Sequence, residues 1–293
     1  MQLNQQLKGA VLVFLGAMSY GILATIVKFA NNQGIHTSVL TFMQFAVGVC
    51  FLIVLARFQQ KQSKARLKRA SKIKLVLFGT TFGMTSIFYY MSIQYIPVSM
   101  GIILLMQSIW MSVVLEALLS RTFPNPLKII GTITILVGTA LATNVLVEVA
   151  SIDWRGIGLG MMAASSYTIS LYASSNIETG HKNAVRSQYL ISGGLLFVLV
   201  YWNYDIITYF TSTSGLLWGA LLALFGTIIP PLLFTKGIPL VGIGIGAIIA
   251  AVEIPVSILS AHIILDERIS MLQWIGVLVI LVSVILVNKS SVK

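Results

Sequence analysis

The sequence predicts an all-α membrane protein with ten transmembrane helices in two inverted five-helix repeats. Three observations carry that reading. Of the 293 residues, 57% are hydrophobic and only 9% charged, against about 25% charged in soluble domains. The apolar residues gather into runs long enough to cross a bilayer core, which takes about 20 residues of helix. The chain also resembles itself at a spacing of half its length.

The apolar runs place helices at 8–29, 37–56, 73–94, 98–119, 126–146, 155–175, 186–204, 215–235, 240–263 and 271–288. Polar and turn residues divide them: Asn31-Asn32-Gln33-Gly34, Ile96-Pro97, Phe123-Pro124-Asn125-Pro126 and Asp266-Glu267-Arg268. The segment Met1–Lys8 is short and polar, and no small-residue cleavage site follows the first run, so that run is read as a retained helix. Cys50 lies within an apolar run, and as the single cysteine it excludes an intramolecular disulfide.

The net charge of +11 would suit a nucleic-acid partner if it coated a soluble face. It does not. With the amino terminus inside, all of the 19 basic residues except Lys28, Arg155 and Arg268 fall in or beside inner segments, and this excess predicts both termini in the cytoplasm. The densest run, Arg57 to Lys74, interleaves no aromatics with its charges, so it reads as an anchor facing the inner leaflet and not as a base-stacking surface. Tyr201, Trp202, Tyr204 and Trp218 read as an interfacial belt.

The internal repeat divides the chain into 1–147 and 148–293. Lys8-Gly9 recurs as Arg155-Gly156, and Ala17, Ser19, Tyr20 and Ile22 recur as Ala164, Ser166, Tyr167 and Ile169, at an offset of 147. The same offset carries Leu77-Phe78-Gly79-Thr80 onto Leu224-Phe225-Gly226-Thr227. Towards the ends the offset becomes 145, pairing Ile130-Gly131 with Ile275-Gly276, and an intermediate offset of 146 pairs Gln107 with Glu253. Five helices per half is an odd number, so the second half enters the membrane upside down. Inverted repeats suit alternating access, with a solute site near the midplane between the halves.

Tyr95-Ile96-Pro97 leading into the fourth helix, and Ile264-Leu265-Asp266-Glu267-Arg268 followed by Trp274-Ile275-Gly276, resemble the EamA-type drug/metabolite transporters over essentially the whole chain. In the first half Ser120-Arg121 stands where the acidic element would be, so that element is carried over only to Glu267. The resemblance implies ten helices, a central cavity, and export of small metabolites, often amino acids, across a bacterial inner membrane.

Glu253 is the residue most in need of a role. It sits near the middle of the ninth run, and an acid at that depth costs about 2.5–3.5 kcal/mol on insertion scales if it faces lipid. Three readings are open: proton coupling, pairing with a substrate amine, or a protonated side chain bonded to a neighbouring helix. Ser257 and Ser260 follow on the same helical face, and Pro255 is expected to kink the helix beside the acid. Gly242, Gly244 and Gly246 are expected to serve close packing, as are Gly79 with Gly83 and Gly156 with Gly160.

Tyr20 and Tyr167 are repeat mates beside Ser19 and Ser166, and such polar pairs are candidate cavity walls. Phe88-Tyr89-Tyr90 and Trp110 are candidates for an aromatic lining, and Gln107 for the counterpart of Glu253. Pro230 and Pro231 break the eighth helix, as a gate, a hinge or a simple kink. Glu116 is expected to pair with a basic loop residue, and Lys28 to snorkel.

No zinc helix, nucleophile elbow or phosphate loop is present, so no metal or cofactor is read and enzymatic function is not favoured. The reading is a secondary transporter for a small solute, an amino acid or amine, with proton coupling open. The alternatives are a channel-like permease and, less favoured, an intramembrane enzyme acting on a lipid. The expected partners are that solute and the bilayer, without nucleic acid, in a monomer or homodimer.

Overall fold

The computed structural model describes residues 2–61, 67–96, 98–143, 153–210, 214–266 and 269–291, and every regular element among them is helical. The first run is α1 (Gln2–Gly21) and α2 (Leu23–Asn32), interrupted at Ile22. Next come α3 (Thr37–Lys61) and α4 (Arg69–Tyr95), then α5 (Val98–Met106) and α6 (Ser108–Ser120), divided at Gln107, and α7 (Pro126–Ala142). The second half has α8 (Trp154–Asn176), α9 (Asn183–Tyr201), the short α10 (Asn203–Tyr209) and α11 (Ser214–Leu222). A π-helical turn, Ala223–Ile228, joins α11 to α12 (Ile229–Val241). The chain closes with α13 (Ile243–Ala250), α14 (Glu253–Leu265) and α15 (Met271–Ser291). The expected boundary between the halves, at 147 and 148, lies outside the described residues, as do Pro97 and Glu267.

Among the described residues, seven segments are long and apolar enough to cross a membrane by length and composition, against the ten expected. Pro126–Ala142 and Met271–Val287 are apolar over the shorter stretches described there. α8 is long enough, but carries Ser165, Ser166, Thr168, Ser170, Ser174 and Ser175. All of these except Ser165 are buried, because α4, α5, α6 and α12 surround the helix. The outer surface is apolar instead. Leu7, Val11, Leu15 and Met18 form one exposed face of α1, and Leu278, Val282, Ile285 and Leu286 form one on α15. That inversion of the usual soluble pattern suits a hydrocarbon surround.

Hydroxyls within the helices satisfy themselves on carbonyls one turn back, as Thr85 does on Thr81 (2.7 Å) and Thr139 on Ile135 (2.8 Å). Others tie helices together. Ser19 Oγ donates to the Phe225 carbonyl (2.8 Å), Ser92 Oγ to that of Gly156 (2.7 Å) and Thr227 Oγ1 to that of Gln44 (2.9 Å).

Glycine sets the close crossings. In α4 and α9, Gly79 abuts the Leu190 backbone and Gly83 that of Gly194, so the two helices run parallel. In α7 and α15, Gly131 meets Val287 and Gly138 meets Ile280, so these run antiparallel. Gly156 and Gly160 receive Ile96 and Leu104 as packing glycines should. The ladder at 242–246 behaves differently. Gly242 has φ +89 and ends α12, because an L side chain there would be strained. The ninth run therefore starts at Ile243, and Leu240 and Val241 belong to the eighth.

The ninth run is also not one helix. Ala251 and Val252 form a turn whose N–H groups bond three residues back, to the carbonyls of Ile248 (3.2 Å) and Ile249 (3.1 Å). Pro255 has no N–H to reach the Ala251 carbonyl, and Ile254 N takes that oxygen instead (3.1 Å). Pro255 thus sits in the first turn of α14, where its missing donor is tolerated, and the interruption precedes it. Pro230 and Pro231 likewise open α12, after the π turn has already broken the regular ladder.

Two ends of the bundle can be named from contacts. At the basal end Gly9 of α1 packs on Gly237 of α12; at the distal end Ile96, past α4, packs on Gly156 of α8. Helix packings also exchange between the halves: α1 on α12 corresponds to α8 on α4, and α3 on α11 to α9 on α4. The pairs α3 with α9 and α7 with α15 correspond to themselves.

Candidate functional site

Between the halves, from mid-depth towards the distal end, lies a cavity with about 840 Å³ of empty space counting its open mouth. Interrupted helices bring backbone to it: Gly21 and Leu23 flank the α1–α2 break, and Glu253 begins α14. α4 contributes Phe82, Thr85, Ser86, Tyr89 and Tyr90, α8 contributes Tyr167 and Ser170, and α14 adds Ser257 one turn after the acid.

The aromatic rings interlock. Tyr20 meets Tyr167 edge to face, centroids 6.4 Å apart, and Phe234 at 5.7 Å. Tyr89 and Tyr90 lie 6.0 Å apart. Tyr167 is 7% exposed, and its hydroxyl has no hydrogen-bond partner. Among the described residues the Glu253 carboxylate makes neither a hydrogen bond nor an ion pair.

The two ends of the bundle differ. At the basal end the halves close on one another, with α13 packed on α6 and α12 on α8. The counterparts of those packings at the distal end would be α5 on α14 and α2 on α4. Among the described residues neither pair is packed backbone to backbone. Side chains of α2 reach α4 through a small apolar cluster, Ile26 and Val27 with Tyr90 and Ile93.

The profile of the EamA-like transporter family matches residues 7–144 and again residues 151–289. The chain belongs to that family. A solved crystal structure with 14% sequence identity to this EamA-like chain superposes with a TM-score of 0.79, covering 95% of this chain and 97% of that one. At that identity the likeness is one of fold. No curated protein matches the sequence.

The sites expected from sequence separate into two groups. Glu253, Tyr20, Tyr167, Tyr90 and Ser257 converge on the cavity. Gln107 and Trp110 do not line it. The Gln107 amide nitrogen donates to the Ile103 carbonyl (3.0 Å), and its oxygen accepts from Trp110 Nε1 (2.9 Å). The indole is 38% exposed, so it faces outward. Gln107 still marks the α5–α6 break, as Glu253 marks the start of α14. Ser19 serves packing through its bond to Phe225, and Ser166 is buried outside the lining. Ser260, expected beside the acid, is bonded to Thr25 of α2 (2.7 Å).

Tyr89 lines the cavity as expected, Phe88 does not, and Thr85, Ser86 and Ser170 line it too. Helical spacing was the available signal: Thr85 and Ser86 lie four residues before Tyr89 and Tyr90, and Ser170 three after Tyr167.

Two basal features were read otherwise from sequence. Arg186, counted among the inner basic residues at the start of the seventh run, is 1% exposed within α9. Its guanidinium donates to the carbonyls of Ile177 (2.9 Å), Ser174 (2.6 Å), Thr235 (2.6 Å) and, at longer range, Ala173 (3.5 Å). It thereby joins the carbonyl end of α8, where a positive charge is favoured, to α12. Glu116 accepts from Lys128 Nζ (2.7 Å), as expected of a basic neighbour. Its carboxylate also lies against Gly242 and Gly244 at the start of α13, where an added side chain would displace it.

Proposed function

We propose that this EamA-like protein is a secondary transporter that carries a small metabolite, an amino acid or amine, out of the cell by alternating access. In this reading ten crossings form two inverted five-helix repeats, divided near residue 147, in a bacterial inner membrane with both termini cytoplasmic. The basal end is then the cytoplasmic side, and the described conformation faces outward.

The observation that carries the reading is the mismatch between equivalent packings. α6 on α13 and α8 on α12 close the basal end, while their distal counterparts stand apart around a cavity. Exchanging the two arrangements would open the same cavity to the other side, which is what a two-fold repeat permits. The breaks at Ile22, Gln107, Ala251–Val252 and the π turn before Pro230 supply the hinges, since interrupted ladders bend at small cost. Glu253 is the coupling group, binding a proton when the solute is absent.

The test is flux in proteoliposomes. Saturable, counterflow-competent transport that responds to a proton gradient supports the reading, and Glu253→Gln should keep exchange while losing that response. Non-saturable flux without counterflow would indicate a channel. Transport that ignores both the gradient and the substitution would remove the coupling role.

A further inference from the structure

The chemistry of the cavity is lopsided. Glu253 is its single charged group, and none of the described lining residues is a lysine, arginine or histidine. Four tyrosines share the lining with it, Tyr20, Tyr89, Tyr90 and Tyr167, together with Phe82 and the hydroxyls of Thr85, Ser86, Ser170 and Ser257. Two groups lack partners: the Glu253 carboxylate, which is bonded to nothing among the described residues, and the buried Tyr167 hydroxyl.

We propose that the site takes an organic monocation, a protonated amine on an aromatic or similarly flat apolar body that bears no carboxylate of its own. The proposal rests on the transporter reading and narrows it. A carboxylate removed from water holds either a proton or an opposite charge; once the proton leaves, the lining supplies no cation, and the solute provides it. Tyrosine faces attract a cation and pack against a ring, so the same walls suit both parts of such a molecule.

An amino-acid zwitterion brings a second carboxylate into the low-dielectric space that holds Glu253. Nothing cationic in the lining receives it. The positive end of an interrupted helix is the usual alternative receptor for such a group. Here the start of α14 already carries Glu253 in its first turn, so an anion placed there would meet the acid. The free Tyr167 hydroxyl suits an uncharged polar group on the solute, such as a hydroxyl or a ring N–H.

The experiment compares three probes that share one indole ring: tryptamine, tryptophan and tryptophol. Equilibrium binding is measured on the full chain in nanodiscs, and counterflow in proteoliposomes. Tryptamine should bind at least tenfold more tightly than tryptophan, and tryptophol, which lacks the amine, should also bind at least tenfold more weakly. Glu253→Gln should erase the preference for tryptamine, and Glu253→Asp should retain it in part, so a folding defect is separable from loss of charge. Tyr167→Phe should weaken tryptamine less than Glu253→Gln does.

Tryptophan binding as tightly as tryptamine overturns the monocation assignment, as does an absence of saturable binding by tryptamine. Counterflow separates these failures from that of the broader reading. Saturable tryptophan exchange would leave a transporter with a different substrate class, whereas no exchange across a wider panel of amino acids, amines and sugars would remove the transporter itself.

Discussion

Gly21→Ala tests the tightness of the α1–α14 crossing beside the cavity. A methyl group built at Gly21 lies 2.6 Å from the Glu253 carbonyl oxygen and 2.7 Å from Val256 Cβ, where ordinary contact is 3.4–4 Å. Both obstacles are backbone or Cβ atoms, so neither can rotate away. The helices must part by about 0.7 Å. Overpacking of that kind costs about 1–3 kcal/mol, which at roughly 2–4 °C per kcal/mol for chains of similar size lowers the melting midpoint by several degrees. The carboxylate at the displaced turn moves with it, and flux should fall about tenfold, since misplacement by a large fraction of an ångström is enough to impair a positioned group. Gly158→Ala on α8 is the control, because a methyl there meets nothing within 4 Å. Melting midpoints in one detergent, with flux from matched proteoliposomes, provide the comparison. If the two variants melt within about 1 °C of each other, the close crossing is refuted.

Arg186→Met should lower stability by about 3 kcal/mol or more, because it strips a charged donor from the buried carbonyls of Ile177, Ser174 and Thr235, and Arg186→Lys should recover only part of that loss; chemical denaturation in detergent measures both. Tyr167→Phe should leave the melting midpoint unchanged or slightly raised, since the hydroxyl it removes is buried without a partner, and a marked fall would show that the hydroxyl has a structural bond. Glu116→Gln should change stability by less than about 1 kcal/mol, because the pair with Lys128 is partly exposed. It should nonetheless loosen the basal closure, read as faster alkylation of a cysteine placed at Val113; unchanged labelling would dissociate Glu116 from that closure.

The sequence made the class and the acid legible for the same reason: both are departures from what a bilayer tolerates. Apolar runs of helix length, basic residues confined between them, and one carboxylate at mid-depth are each strong local signals. Tyr20 and Tyr167 were found because the repeat marks them twice. What sequence did not reveal is which way a side chain turns. Gln107 was paired with Glu253 by position, yet its amide is consumed by Ile103 and Trp110. Arg186 counted only as a topology charge because nothing local announces the carbonyls that gather around it, which come from α8 and α12. The division of the ninth run was obscured by its composition: an unbroken apolar string does not distinguish one helix from two, and Pro255 pointed just past the real interruption. Gly242 looked like a packing residue until its positive φ showed that it terminates a helix.

α8 has a consequence for how the molecule is made. Its hydroxyl-rich surface is buried against neighbours, so a helix that looks marginal as a bilayer solute is ordinary as a protein-embedded one. Released alone from the ribosome into lipid, Trp154–Asn176 would gain little by leaving water. α4 and α5, two of the surfaces that cover it, precede it in the chain and are already made when it emerges. Biogenesis is thereby ordered: the first half acts as the template on which the least hydrophobic segment of the second half is inserted, and a second half expressed by itself should integrate poorly.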